Sequence, residues 1–133
     1  MMQIRTHKYA ELAYPLIEDI QTKKLPEAAK DSKFEAKYRT LALNFPTMIM
    51  QSGLAQAIGF LMAKDKDEHR QLLKHISTLL DYKNIDEFHK AIRESNITQY
   101  QLLTRKSLDA TSWLKRYTQA LLEKEKSKET SHG

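Results

Sequence analysis

The sequence contains no cysteine, and it has only three glycines and three prolines among 133 residues. Without cysteine, disulfide bonds, thiolate zinc sites and cysteine nucleophiles are excluded. A chain with so few turn-forming residues makes few tight turns, which disfavours a β-sandwich or barrel and favours long helices joined by short links. The length is that of one ordinary domain.

Charge is missing from one long stretch, although charged residues make up 29% of the chain. The 24 residues from Thr40 to Ala63 carry none, and a run of that length raises the question of a membrane span. Pro46 cuts the run, however. Polar residues also lie within it: Asn44, Gln51, Ser52 and Gln56. The part that remains, Leu54 to Ala63, is apolar apart from Gln56 and too short to cross a bilayer, so we predict a core helix and no membrane contact.

Apolar residues recur at helical spacing along most of the chain, and no segment is a convincing strand. The expected helices cover residues 3–22, 32–43, 47–62, 68–80, 84–94 and a last stretch that begins at 96 or 98. Ser32 and Asn84, each followed by Glu at the third position beyond, have the pattern of helix N-caps. Pro15 predicts a kink or break in the first helix, and Pro46 is expected in the first turn of a new one.

We therefore predict an all-α fold, a compact bundle of about six helices around a central apolar helix, Thr47 to Met62. Small residues spaced four apart on that helix, Gly53 with Ala57 and Ala55 with Gly59, would let neighbouring helices approach closely. Each glycine lowers helix propensity by about 1 kcal/mol relative to alanine, so close packing must offset that cost.

The chain reads as a single helical domain over residues 1–124, followed by a polar tail of mixed charge, 125–133, that we expect to be disordered. The first twenty residues carry charges throughout and show no apolar signal-peptide core. We therefore expect a cytoplasmic protein.

Motifs of catalytic and metal-binding chemistry are missing as well. The five histidines form neither an HExxH motif nor a close pair at helical spacing. The segment KDKDEH, residues 64–69, begins like a calcium loop but lacks the loop's glycine and its final glutamate. Ser52-Gly53 is not part of a GxSxG elbow, and both glycine-rich phosphate loops are absent. The sequence predicts no enzyme activity, no metal site and no cofactor.

What the sequence does contain is basic surface. The formal net charge of +5 and the pI of about 9.3 permit contact with a polyanion. Helical spacing places basic residues in single-face stripes: Lys30, Lys33 and Lys37, and Lys66, Arg70 and Lys74. Such stripes could grip phosphates without reading sequence, or they could be solvated faces paired with acids such as Asp67. Aromatic residues are not interleaved with them, so base stacking is not indicated.

The block FPTMIMQSGLAQAIGFLMAK resembles the signature of the Cmr small-subunit family, the fifth protein of type III-B CRISPR RNA-targeting complexes. The shared features are an FP step, a Q-S-G-L centre, an apolar F-L pair and a closing lysine: Phe45-Pro46, Gln51-Ser52-Gly53-Leu54, Phe60-Leu61 and Lys64. Ser52 stands where the family commonly has asparagine. Tyr38-Arg39 and the closing segment WLKRYTQALL, residues 113–122, are also similar to the family, so the resemblance covers nearly the whole chain.

The resemblance implies a small all-helical subunit with no catalytic role, which stacks in several copies as a minor filament in an antiviral complex. The implied partners are neighbouring copies, the backbone subunit, the large subunit and the guide RNA–target RNA duplex. Base pairing would supply specificity and the protein would supply backbone contacts. We expect RNA contacts from seven residues: Arg39, Lys64, Lys66, Arg70, Lys74, Arg5 and Arg116.

Two other interpretations stay open at this point. The chain could be a stand-alone helical adaptor for proteins with no RNA role, in which case it would lack RNA binding that falls steeply with salt. It could also be an undetected hydrolase, which a nuclease assay with added divalent metal would expose.

Overall fold

The computed structural model of the protein describes residues 5–24 and 33–122, which form six α-helices and contain no strand. The helices are α1 (Arg5–Gln21), α2 (Phe34–Ser52), α3 (Leu54–Lys64), α4 (Asp67–Leu79), α5 (Ile85–Glu94) and α6 (Ile97–Leu121). The predicted all-α fold of about six helices is thereby confirmed. The expected cap at Ser32 and the expected tail, 125–133, lie outside the described residues.

The boundary between α2 and α3 differs from the prediction. α2 continues through the buried Pro46, and the helix expected over Thr47 to Met62 is divided at Gly53. Gly53 has φ 87° and ψ 157°, and its N–H donates to the Ile49 carbonyl at 2.8 Å. That positive φ is readily adopted only by glycine, so Gly53 rather than Pro46 sets the break. The uncharged stretch therefore supplies the second half of α2 and nearly all of α3.

The expected role of small residues in close helix packing is wrong for three of the four positions, Gly53, Ala55 and Gly59. Ala55 and Gly59 are exposed, and a Cβ atom added at Gly59 would meet nothing within 4 Å. Ala57 is buried as expected. A Cβ atom at Gly53 would lie 3.6 Å from the Tyr100 hydroxyl, an ordinary contact, so backbone conformation rather than close approach requires glycine there.

The core lies where α6 packs along α1 and α2 and where α2 packs on α4. α1 to α5 supply its largest side chains, among them Tyr38, Phe45 and Phe88. α6 instead turns mostly small residues inward: Ser107, Ala110, Thr111, Leu114 and Thr118. Small side chains along one face let a long helix lie close to two neighbours. In the described part of the chain, no helix has the length and apolar character needed to cross a bilayer.

Two predicted helix starts are confirmed by their caps. The Asn84 side chain accepts a hydrogen bond from the Glu87 N–H at 2.9 Å. At the start of α6, Asn96 and Gln99 exchange bonds of 2.8 and 2.9 Å, which completes a capping box. These bonds satisfy amide groups that a helix N-terminus leaves without intrahelical partners.

Candidate nucleic-acid interface

The link from α3 to α4 is held by Arg70. Its guanidinium donates to the Asp65 backbone carbonyl and lies 2.5 Å from the Asp67 carboxylate and 3.2 Å from that of Asp65. The hydrogen bond to Asp65 is the main cause of a raised pKa at Arg70. Asp65 itself adopts a left-handed conformation, with φ 50°, that ends α3. Arg70 therefore closes a local turn with two acidic partners.

The predicted stripe of Lys66, Arg70 and Lys74 lies along α4 and its N-cap, and all three residues are exposed. Asp65 and Asp67 already pair with the Arg70 guanidinium. The positive charge that a ligand could reach therefore comes mainly from the two lysines. Neither lysine has an acidic partner within 4.0 Å among residues 5–24 and 33–122.

Lys64 ends α3, where a cation interacts favourably with the helix dipole. Its ammonium group lies 5.9 Å from the centre of the Phe60 ring, within the range of a cation–π contact. The residue is exposed and close to Lys66, which caps the next helix. Arg39, the predicted contact on the other side of the signature block, is half-buried on α2.

The structure adds two lysines that the prediction did not place at the site. Lys33 and Lys37, at the start of α2, line a groove of about 490 Å³ together with residues of α4. We call this the α2–α4 groove, and its lining is Lys33, Ala36, Lys37, Thr40, Leu41, Glu68 and His69. The sequence shows Lys33 and Lys37 on one helix face, but it does not show which helix lies opposite. Their placement therefore depends on the tertiary fold.

His69 is almost wholly buried in the wall of this groove, at 8% exposure. Burial lowers its pKa, Glu68 opposes that shift, and the nearby charges of Lys66 and Lys64 add to it. The ring packs edge-on against Phe60, with centroids 5.5 Å apart. Its Nδ1 lies 3.4 Å from the Glu68 carboxylate but forms no hydrogen bond in the described part of the chain.

The other two predicted RNA-contact residues, Arg5 and Arg116, make no recorded contact with this cluster among the described residues. Arg5, at the start of α1, pairs with Asp109 of α6 at 3.3 Å, and its side chain remains 45% exposed. Arg116 is exposed two turns farther along α6. Arg5 belongs to the contact between α1 and α6, where Trp113 also donates to the Thr6 hydroxyl at 2.7 Å.

A second buried histidine, His75, has a structural setting that sequence reasoning missed. The Tyr38 hydroxyl lies 2.7 Å from Nδ1, and the Gln71 side-chain amide lies 2.8 Å from Nε2. Burial lowers the pKa of His75 to about 3 and raises that of Tyr38, so both are neutral at pH 7. Both ring nitrogens are engaged inside the core. The inward spacing of Tyr38 on its helix is the only sequence signal for this network.

No cluster of three or more histidine or acidic side chains suited to a metal ion occurs within residues 5–24 and 33–122. Among the described residues, the exposed lysines and the α2–α4 groove are two features that could serve a ligand.

Comparison with known proteins finds a matching family model, a similar curated protein and a similar solved structure. The family model described as CRISPR-associated protein (Cas_Cmr5) matches residues 5–121. The CRISPR system Cmr subunit Cmr5 of Thermus thermophilus is 36% identical over 122 residues, which cover 92% of this chain and 99% of that protein. The crystal structure of a CRISPR-associated Cmr5 family protein, also from Thermus thermophilus, aligns with a TM-score of 0.77 and 35% identity, over 92% of this chain and 100% of that one.

Proposed function

This chain belongs to the CRISPR-associated Cmr5 family, and from that premise we propose that it is the non-catalytic small subunit of a type III-B CRISPR effector ribonucleoprotein. In this role several copies stack as a minor filament beside the backbone and large subunits. The filament supports binding of the guide RNA–target RNA duplex through basic surface and so contributes to antiviral defence.

The observation that carries the RNA role is the run of exposed lysines Lys64, Lys66 and Lys74 along the end of α3 and the outer face of α4. Ammonium groups without acidic partners are suited to phosphate, because phosphate contacts release condensed counterions and need no base readout. Arg39 on α2 and Arg70 on α4 are two further proposed contacts. Arg70 contributes less, since its two aspartates already compensate its charge.

Arg5 and Arg116 form a secondary part of the proposed contact surface. They lie on α1 and α6, far along the chain from the lysines of α4, and Arg5 pairs with Asp109 of α6. A duplex that follows a filament of stacked copies would meet more than one face of each copy. The contribution of Arg5 requires exchange of Asp109 for a phosphate, which is feasible for a half-exposed ion pair of small net worth.

The proposed lack of a catalytic role is supported by the chemistry available to the buried histidines. His75 has both ring nitrogens engaged within the core, and His69 is enclosed beside Glu68 and Phe60. Neither ring is exposed as a general acid or base that acts on an RNA phosphate would be.

The test is charge reversal in the reconstituted complex. Lys64→Glu, Lys66→Glu and Lys74→Glu are combined in one variant, and Lys83→Glu with Lys90→Glu, both exposed and outside this surface, form the control. We expect the first variant to retain target RNA less well. We also expect its salt dependence, the slope of log K against log salt concentration, to become shallower by up to about 0.9 for each lost phosphate contact.

Equal retention and equal salt slopes for the two variants would contradict the proposed contact surface. All five substituted side chains are exposed, so we expect the helical fold to stay intact in both variants. Circular dichroism melting of each variant checks this.

A further inference from the structure

The α2–α4 groove differs in character from the lysine surface beside it. Its lining is predominantly apolar, built from Ala36, Leu41 and the aliphatic parts of the side chains that border it. With a volume of about 490 Å³, it is large enough for a bulky apolar side chain and part of the backbone that carries it. Burial of such a side chain is favourable in proportion to the apolar area removed from water.

The border of the groove is positively charged. Lys33 and Lys37, both among the lining residues, lie one turn apart on the α2 side. Glu68 is the one acidic side chain among the lining residues. Carboxylates at the edge of a ligand would therefore meet lysines on the α2 side, while the ligand's centre meets apolar walls.

This combination does not favour RNA inside the groove. A phosphate placed between the walls would exchange water for an apolar surface, which is costly for a charged group. It would also approach the Glu68 carboxylate, which repels it. The open lysine surface of α4 offers phosphates positive charge without either penalty.

We propose that the α2–α4 groove docks an acidic segment of a partner protein, which seats one large apolar side chain between the helices and pairs its flanking carboxylates with the bordering lysines. The inference goes beyond the RNA role. It rests on the proposed function only in that the partner is expected among the subunits of the same complex.

His69 forms part of the wall of this docking site. Its Nδ1 is buried and lies 3.4 Å from the Glu68 carboxylate, so the docked segment meets the ring and not this nitrogen. An apolar side chain between the helices and a carboxylate beside the lysines would fix the segment's position.

The test places the photo-cross-linking amino acid p-benzoylphenylalanine at position 40 and, as a control, at position 119, in the complex purified from the native host. Thr40 lines the groove and Gln119 lies on α6, and both side chains are exposed, so the fold tolerates either replacement. We expect position 40 to cross-link to a protein peptide with a large apolar residue within two positions of Asp or Glu. Adding Lys37→Glu should lower that yield roughly fivefold, and adding Lys90→Glu should not.

Four results would overturn the docking site: cross-links from position 40 to RNA, to residues 25–32 of the same chain, to peptides without acidic residues, or at a yield no greater than from position 119. The first result in an otherwise intact complex removes the docking site and leaves the proposed function standing. A cross-link to a suitable acidic peptide of a protein outside any CRISPR complex would keep the docking site and remove the proposed function.

Discussion

At the scale of single residues, the bonds between His75, Tyr38 and Gln71 show how the core accommodates polar side chains. Tyr38 and Gln71 satisfy the two ring nitrogens, at 2.7 and 2.8 Å. Because an unpartnered buried donor or acceptor costs about 1–3 kcal/mol, the three side chains depend on one another. The Nδ1 atom of His69, in contrast, forms no hydrogen bond inside the described part of the chain, although it lies 3.4 Å from the Glu68 carboxylate.

We expect the free energy of unfolding to fall as pH is lowered from 6.5 to 5. The folded-state pKa of His75 is about 3, below its ordinary value of 6.5, so the unfolded chain binds a proton that the folded chain does not. The stabilisation is complete above pH 6.5 and is lost at a limiting slope of about 1.4 kcal/mol per pH unit below it. His69, with its pKa also lowered, contributes in the same direction. Urea denaturation at several pH values measures this slope.

The variant His75→Gln separates this contribution from the others, with His7→Gln, at an exposed position, as its control. The first variant should have a shallower slope between pH 6.5 and 5 than the wild type, and the second an unchanged one. A slope in His75→Gln as steep as that of the wild type would show that His75 is not a titrating group in this range.

At the scale of elements, the two internal glycines have opposite expected effects when replaced by alanine. Gly53→Ala should destabilise the protein by about 1–2 kcal/mol, because alanine adopts the φ of 87° at this junction poorly. Gly59→Ala should stabilise it by up to about 1 kcal/mol, because the site is helical and exposed and an added methyl group meets nothing. Chemical denaturation of the two variants measures both values. Equal destabilisation by both would contradict the assignment of the helix break to Gly53.

Some helix boundaries can be predicted from the sequence and others cannot. α5 and α6 begin at residues whose side chains are recognisable helix caps, Asn84 and Asn96. The prediction places the α2–α3 boundary at Pro46, because proline is the stronger local helix breaker. In the structure, Pro46 is buried within a helix that continues beyond it. Only the tertiary contacts of α2 determine that outcome, since local propensity is overridden when packing compensates for one missing amide bond.

The α2–α4 groove could not be predicted in the same way. Its walls come from residues 33–41 and 68–69, which are separated by a whole helix. Helical periodicity indicates which face of each helix is polar, but it does not indicate which faces meet. The exposed basic residues of α4 could be predicted, because a single helix positions Arg70 and Lys74 and its N-cap is Lys66.

At the scale of the whole molecule, the net charge of +5 is modest, and a single copy offers few phosphate contacts. RNA binding that depends on several weak contacts gains strongly when copies are linked in an array, because each further contact is made at high effective concentration. The proposed function therefore attributes RNA retention to stacked copies within the complex, with base pairing in the RNA supplying sequence specificity.

Co-purification from the native host tests this account most directly. The protein carries an N-terminal tag, and both the proteins and the nucleic acid that accompany it are identified by mass spectrometry and sequencing. We predict recovery of other Cmr subunits together with short guide RNAs. Recovery of the protein alone, or with unrelated proteins and no RNA, would contradict the account and favour a stand-alone helical adaptor.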